Sequence, residues 1–195
     1  VKKTIYYATT NAGKFDELKR YIKSNEPSIE LKQFDKDLPE IQTIDQKAIA
    51  LDKAQQAWNH LHQPVLIDDS GIYFDHYNNF PGTLTKFIYH GIGFEGLLKL
   101  TEDDNRATKR LYMVFKDSDE EQHIFEGICP GTIVRPESFD SHPSLPYDAI
   151  FKPNGADKTM ALMRGTDEEK KYSYRLQALR KFLDWYKTHT VHHSQ

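Results

Sequence analysis

The stretch Thr4 to Ala8 reads TIYYA, a short β-branched and aromatic run that predicts a strand. The polar residues Thr9-Thr10-Asn11 follow, and then a helix is expected from Ala12 to Ser24, with Phe15, Leu18 and Ile22 on one face. Ile29 to Phe34 predicts a second strand. After Leu38-Pro39-Glu40, a helix from Asp45 to Leu61 carries Ile49, Ala50, Ala54, Ala57 and Trp58 inward, and Pro64 ends it. Val65 to Asp68 predicts a short strand ending in two acids, with extended structure resuming from Gly71 to Phe74 before the loop at 78–82. Short helices are expected at Leu84 to Tyr89 and Phe94 to Leu100. A hairpin of strands follows, Thr108 to Lys116 and Glu121 to Ile128, joined by the turn Asp117-Ser118-Asp119-Glu120. Residues 130–153 are rich in Pro, Gly and Ser, with a short strand at Thr132 to Val134. A last helix sets Leu176, Leu179, Leu183 and Tyr186 at helical spacing. Parallel and antiparallel patterns together give an α/β class, a mixed sheet covered by helices.

No internal repeat or linker divides these elements, so the 195 residues predict a single domain at 1–188 with a loose tail at 189–195. Hydrophobic residues make up 38% and charged residues 28%, as in an ordinary globular domain. A formal net charge of -3 provides no basic field for a polyanion, so neither nucleic acid nor an acidic membrane is an expected partner. No apolar run reaches the roughly 18 residues that span a bilayer. Cys129 is the single cysteine. It allows no intrachain disulfide, fits a reducing, cytoplasmic address, and is expected to be a small buried residue rather than a reactive one.

Three segments carry candidate chemistry. In Thr9 to Glu17, two hydroxyls, an amide and Lys14 stand where a strand turns into a helix, and the free N–H groups and positive end of a helix N-terminus suit a phosphate. The segment is no Walker A loop, because Ala8 stands where the first glycine belongs and Phe15 follows Lys14. Thr9 and Asn11 can equally be simple helix caps. Asp68-Asp69-Ser70-Gly71 offers two carboxylates on opposite faces of a strand, so one at most serves a given pocket. A magnesium ion takes one or two carboxylates and completes its shell with water and phosphate, which makes Glu40 a candidate partner. A turn explains Asp-Asp-Ser-Gly as well. The third segment joins Tyr147 and Asp148 to Ser173-Tyr174-Arg175, where an arginine beside aromatic rings can donate to a base carbonyl.

In this order the segments resemble the inosine/xanthosine triphosphate pyrophosphatase family, the Ham1-like family. Its T-x-N-x-x-K-x-x-E is matched by Thr9, Asn11, Lys14 and Glu17, its L-P-E by Leu38, Pro39 and Glu40, and its helix lysine by Lys53. Asp68 to Gly71 with Pro81-Gly82 match the next block, and Lys86 stands at a basic position. Phe125-x-Gly127, Gly131-x-Ile133, Tyr147-Asp148-x-Ile150-Phe151-x-Pro153-x-Gly155 and Lys158-Thr159 match the rest. The resemblance implies an elongated α/β fold whose two lobes flank a substrate groove, usually as a homodimer. It also implies Mg²⁺-dependent hydrolysis of inosine, deoxyinosine and xanthosine triphosphates to the monophosphate and pyrophosphate. Carried over by position, Lys14 and Lys53 hold phosphates, Glu40 and Asp69 position the metal, and Asp69 helps activate water. Thr9, Asn11, Ser70, Lys86, Tyr147, Asp148, Tyr174 and Arg175 bind substrate, Arg175 meeting the 6-keto oxygen of the base.

The chain departs from the family on the base side. Leu145-Pro146 replaces a Phe-Gly, Tyr174 replaces a histidine, and Arg135-Pro136-Glu137-Ser138 replaces a P-R-G loop. A narrower preference over adenosine triphosphate is therefore expected, with Tyr147 as the compensating aromatic. A catalytically weak nucleotide binder is the alternative reading, and a scaffold leaves the clustered polar residues unexplained. Gly91-Ile92-Gly93-Phe94-Glu95-Gly96 matches the dinucleotide fingerprint in letters but lacks a convincing strand before it. His60, His62, His189, His192 and His193 lack the company of a zinc site and are expected at the surface.

Overall fold

The computed structural model describes residues 2–139 and 146–190. Strand β1 (Lys3–Ala8) turns Ile5 and Tyr7 inward by the two-residue period of a strand. Helix α1 (Ala12–Asn25) follows, buries Leu18 and Ile22, and returns the chain to β2 (Ile29–Phe34). The two strands pair in parallel from Lys3↔Ile29 to Ala8↔Phe34, which requires such a crossover. Helix α2 (Gln46–Leu61) begins at Asp45, whose Oδ1 accepts from the N–H groups of Lys47 and Ala48 at 2.9 and 3.2 Å. Asp45, expected as the first helical residue, is thus its cap. Strand β3 (Val65–Phe74) then lies on the other side of β1, with Tyr6↔Val65 and Tyr7↔Leu66 in register. It is one continuous strand, so Asp68 and Asp69 sit within it and not at a strand end as the sequence suggested.

The two-residue strand β4 (Pro81–Gly82) pairs antiparallel to β3, at Ile72↔Gly82 and Tyr73↔Pro81. A Cβ on Gly82 would stand 2.6 Å from the Asn79 carbonyl oxygen, and its φ of 52° is open mainly to glycine. The two expected short helices form α3 (Thr85–Leu100), bent at Gly93 (φ 62°, ψ -169°). No strand leads into 91–96, so the fingerprint there has no dinucleotide context. Strands β5 (Arg106–Lys116) and β6 (His123–Ile133) are neighbours, and β6 absorbs part of the separate strand expected at Thr132. A 3₁₀ turn (Pro146–Ala149) precedes β7 (Phe151–Pro153), which pairs antiparallel to β6. Helices α4 (Met160–Met163), α5 (Asp167–Tyr172) and α6 (Tyr174–Thr190) complete the chain. Helix α6 runs past Thr188, where a loose tail was expected, and 191–195 and Leu145 lie outside the described residues.

Among the described residues the strands form a seven-stranded mixed sheet in the order β2-β1-β3-β5-β6-β7, with β4 beside β3. The α/β class is as expected. The chain divides into two compact units: residues 1–69, 111–127 and 175–195 form the first, and 70–110 with 128–174 the second. The first unit packs Leu38, Ala50, Ala54, Ala57, Trp58, Val65, Ile67 and Val114 into one core. Phe115, Phe125, Phe182, Trp185 and Tyr186 form an aromatic cluster in the same unit. The second unit buries Ile72, Phe74, Leu97, Ile133, Ile150, Phe151, Met160 and Met163. Among the described residues no helix is long and apolar enough to cross a membrane.

Candidate active site

The first unit holds two charged clusters on either side of β3. At the start of α1, Asn11 Oδ1 accepts from the Lys14 N–H at 3.1 Å, and Thr9 Oγ1 accepts from the Asn11 N–H at 3.1 Å. The capping role is therefore real, and it leaves the Lys14 side chain to reach across to Asp68, Nζ to Oδ1 3.3 Å. The Tyr7 hydroxyl donates to the same oxygen at 2.8 Å, and Arg175 Nε donates to Asp68 Oδ2 at 2.8 Å. Arg175 Nη1 also meets Glu17 Oε2 at 3.2 Å. Burial alone would raise the Asp68 carboxyl, but Lys14, Arg175 and the hydrogen bonds from Arg175 and Tyr7 hold it well below the usual carboxylate range. The Lys14 amine is lowered by burial, with Asp68 pulling the other way.

Asp69 turns to the opposite set, as the alternation of a strand requires. Lys53, on α2, places Nζ 2.8 Å from Glu40 Oε1 and 3.6 Å from Asp69 Oδ1. Burial pushes the Asp69 carboxyl up; Lys53 opposes this and the Glu40 charge adds to it. Burial would lower the Lys53 amine, yet the Glu40 hydrogen bond and the charges of Asp69 and Glu40 hold it above its ordinary value. Two carboxylates thus share one ammonium, an excess of negative charge with hard oxygen donors. Among the described residues no group of three or more His, Cys, Asp or Glu gathers at one point. Two carboxylates are nevertheless what magnesium takes from a protein when phosphates and water supply the rest.

The second unit carries a different cluster. In the 3₁₀ turn, Tyr147 and Asp148 are both buried, and the Tyr147 hydroxyl donates to the Thr85 carbonyl at 2.9 Å. Asp148 Oδ1 is paired with Lys109 Nζ, and its Oδ2 lies 2.6 Å from Arg164 Nη2. The Lys109 ammonium also faces the rings of Phe151 and Tyr174, 5.1 and 5.9 Å from their centroids. Ser70 is partly buried in β3, and Lys86 is exposed at the start of α3. Cys129 is buried and its thiol is pushed up to about 11 by burial, Asp148 adding to the rise and Lys109 opposing it. His60, His62 and His189 are exposed; His192 and His193 lie outside the described residues.

Of the residues singled out from sequence, Glu40, Lys53 and Asp69 come together, and Lys14 joins Asp68. Arg175, expected to meet a base, is engaged by Asp68 and Glu17 within the first unit. Tyr7, Lys109 and Arg164 were not singled out. For Lys109 a sign existed: the two-residue period of β5 puts it on the same face as Ala107, Leu111 and Met113, and a lysine on a buried face demands a counter-ion. Nothing local marks Tyr7 or Arg164.

A sequence profile of the Ham1 family matches residues 5–185. The chain belongs to the Ham1 family. A dITP/XTP pyrophosphatase of Methanopyrus kandleri is 34% identical over 189 residues, which cover 96% of this chain and 98% of that protein. One of Thermococcus kodakarensis is 32% identical, over 93% of this chain and 96% of its own. The Ham1 protein of Staphylococcus aureus shares the fold with a TM-score of 0.75 at 25% identity, covering 95% of this chain and 99% of that one. A HAM1 protein of Coxiella burnetii, 23% identical over 92% of this chain and 96% of its own, superposes with the same TM-score of 0.75 and supports the fold alone. The family expected from the ordered motifs is the family found.

Proposed function

We propose that this Ham1 family member hydrolyses inosine, deoxyinosine and xanthosine triphosphates to the monophosphate and pyrophosphate in a magnesium-dependent reaction. What supports the reaction type is the kinship with dITP/XTP pyrophosphatases over nearly the full chain. The observation that carries the chemistry is Lys53 shared between Glu40 and the partly buried Asp69. Attack of water on a phosphorus needs positive charge against the phosphate oxygens and a carboxylate beside the water. Lys14 and Lys53 provide the first, with Thr9 and Asn11 at the α1 N-terminus. Asp69 provides the second, accepting a proton from the attacking water. Glu40 and Asp69 would hold a magnesium ion, which would supply Lewis-acid polarisation of the phosphate. The resemblance read from the motifs implies a homodimer, which light scattering checks, and the single, buried Cys129 fits a reducing, cytoplasmic address.

Pyrophosphate release from a panel of triphosphates, with magnesium and with chelator, tests this reading. Turnover that needs the ion and yields monophosphate plus pyrophosphate supports it. Diphosphate plus orthophosphate as products, or full activity under chelator, overturns it.

A further inference from the structure

The segment that carries Glu40 has no regular structure of its own. Residues 35–45 run as irregular chain between β2 and α2, and the Glu40 side chain is 50% exposed. A carboxylate on such a segment wanders unless its backbone is held, and a metal ligand works only when its orientation is fixed from outside. Helix α2 holds the two residues before it. Leu38 is buried in the core with Ala50, Ala54, Ala57 and Trp58. The carbonyl of Pro39, the residue next to Glu40, accepts from Gln56 Nε2 at 2.8 Å. The same nitrogen donates to Asp52 Oδ2 at 2.6 Å, one helical turn back along α2. An amide nitrogen carries two hydrogens, so both are spent, and turning the amide over would set its oxygen against two other oxygens. Asp52 therefore fixes the orientation of the Gln56 amide. Lys53, three positions before Gln56 on the same helix, meets the Glu40 carboxylate at 2.8 Å. One helix thus grips Glu40 twice, by the carbonyl before it and by its carboxylate.

We infer that Gln56, oriented by Asp52, is a positioning residue: through the Pro39 carbonyl it fixes the backbone of Glu40 so that this carboxylate can share a divalent cation with Asp69. This rests on the proposed magnesium-dependent hydrolysis and deepens it. Gln56 acts through Pro39 and not on the phosphate. Loss of its donors leaves Glu40 and Lys53 chemically intact but lets the segment after Leu38 move, so the cost falls on capture of the cation more than on the nucleotide.

The test compares wild type, Gln56→Met, Gln56→Lys and Glu40→Gln. Two quantities are read: hydrogen exchange of the amides of residues 40–45 in the metal-free protein, and the magnesium concentration that half-saturates pyrophosphate release from inosine triphosphate. Melting curves confirm folding. Gln56→Met keeps the length and a good helix former but has no donor. Exchange at 40–45 should quicken, and the half-saturating magnesium concentration should rise by about tenfold to a hundredfold. At saturating magnesium most of kcat should return, with KM for the nucleotide little changed. Gln56→Lys again offers donors to Pro39 and Asp52 and should recover most of the loss in both readouts; it carries the test if the methionine variant does not fold. A merely structural role would lower kcat alike at every magnesium concentration, and that result overturns the inference. So does a Gln56→Met protein with unchanged exchange and unchanged magnesium dependence while Glu40→Gln weakens that dependence. A Glu40→Gln protein with wild-type magnesium dependence, or a wild type that releases no pyrophosphate, overturns the functional reading beneath it.

Discussion

Arg175 Nε donates to Asp68 Oδ2 across 2.8 Å, joining the first turn of α6 to the middle of β3. The pair is buried on both sides, 7% and 2% exposed. Breaking such a pair leaves an uncompensated charge, at a cost of about 3 kcal/mol or more, and here Lys14 and Tyr7 keep the loss near the lower end. Arg175→Leu should therefore lower thermal stability and depress kcat/KM for every triphosphate by a similar factor. Melting curves and specificity constants measured together check this. Loss confined to keto purines would return Arg175 to the base.

The adjacent acids should separate cleanly when each is made an amide. Asp69→Asn removes the carboxylate proposed to hold metal and water, and a loss on the order of 10²-fold in kcat is expected. Its carboxyl is raised by burial, so its charge opposes folding at neutral pH, and the amide should melt at the same temperature or higher. Asp68→Asn should do the reverse to stability, because it leaves Lys14 and Arg175 without their shared counter-ion. Its three partners, the buried Tyr7 and Arg175 and the partly buried Lys14, make Asp68 the structural position of the two. Calorimetry and kcat on the two variants decide the assignment.

Lys14→Ala should raise KM and lower kcat together, because a lysine on a phosphate acts in both the ground and transition states. Removal of the ammonium also frees Asp68 Oδ1 to Tyr7 alone, so a modest fall in melting temperature is expected. Steady-state kinetics with an unchanged KM would remove Lys14 from the phosphate site.

Cys129 makes the alkaline limb of the stability curve testable. Its folded thiol ionises near 11 against an ordinary value of 9.0, so the unfolded chain loses that proton first. The contribution is present below about pH 9 and disappears as pH rises toward 11, on the order of 2 kcal/mol in all. Cys129→Ala should flatten this part of a plot of denaturation midpoint against pH. In the native wild type at pH 8, a thiol reagent should react only after unfolding. Rapid labelling of the folded protein would contradict the buried, neutral thiol.

What the sequence determined by itself was set within a few residues. The strand, polar turn and helix of residues 3–25, the apolar face of α2 and the four inward positions of α6 follow from periods of 2 and 3.6, which any short window reveals. The same alternation separated Asp68 from Asp69, and the ordered motifs sufficed to place the chain in its family. What only the tertiary structure decided was which charges meet. Arg175 and Asp68 are 107 positions apart, and Lys109 and Asp148 are 39 apart. Their pairing depends on β3 lying beside β1 and on the sheet running through β5 and β6 to β7. The strength of a charge pair is set by separation and by exclusion of water, and neither is a property of a local pattern. The residue type named the chemistry each side chain could perform; burial and neighbours assigned Arg175 to a carboxylate and left Arg164 facing outward.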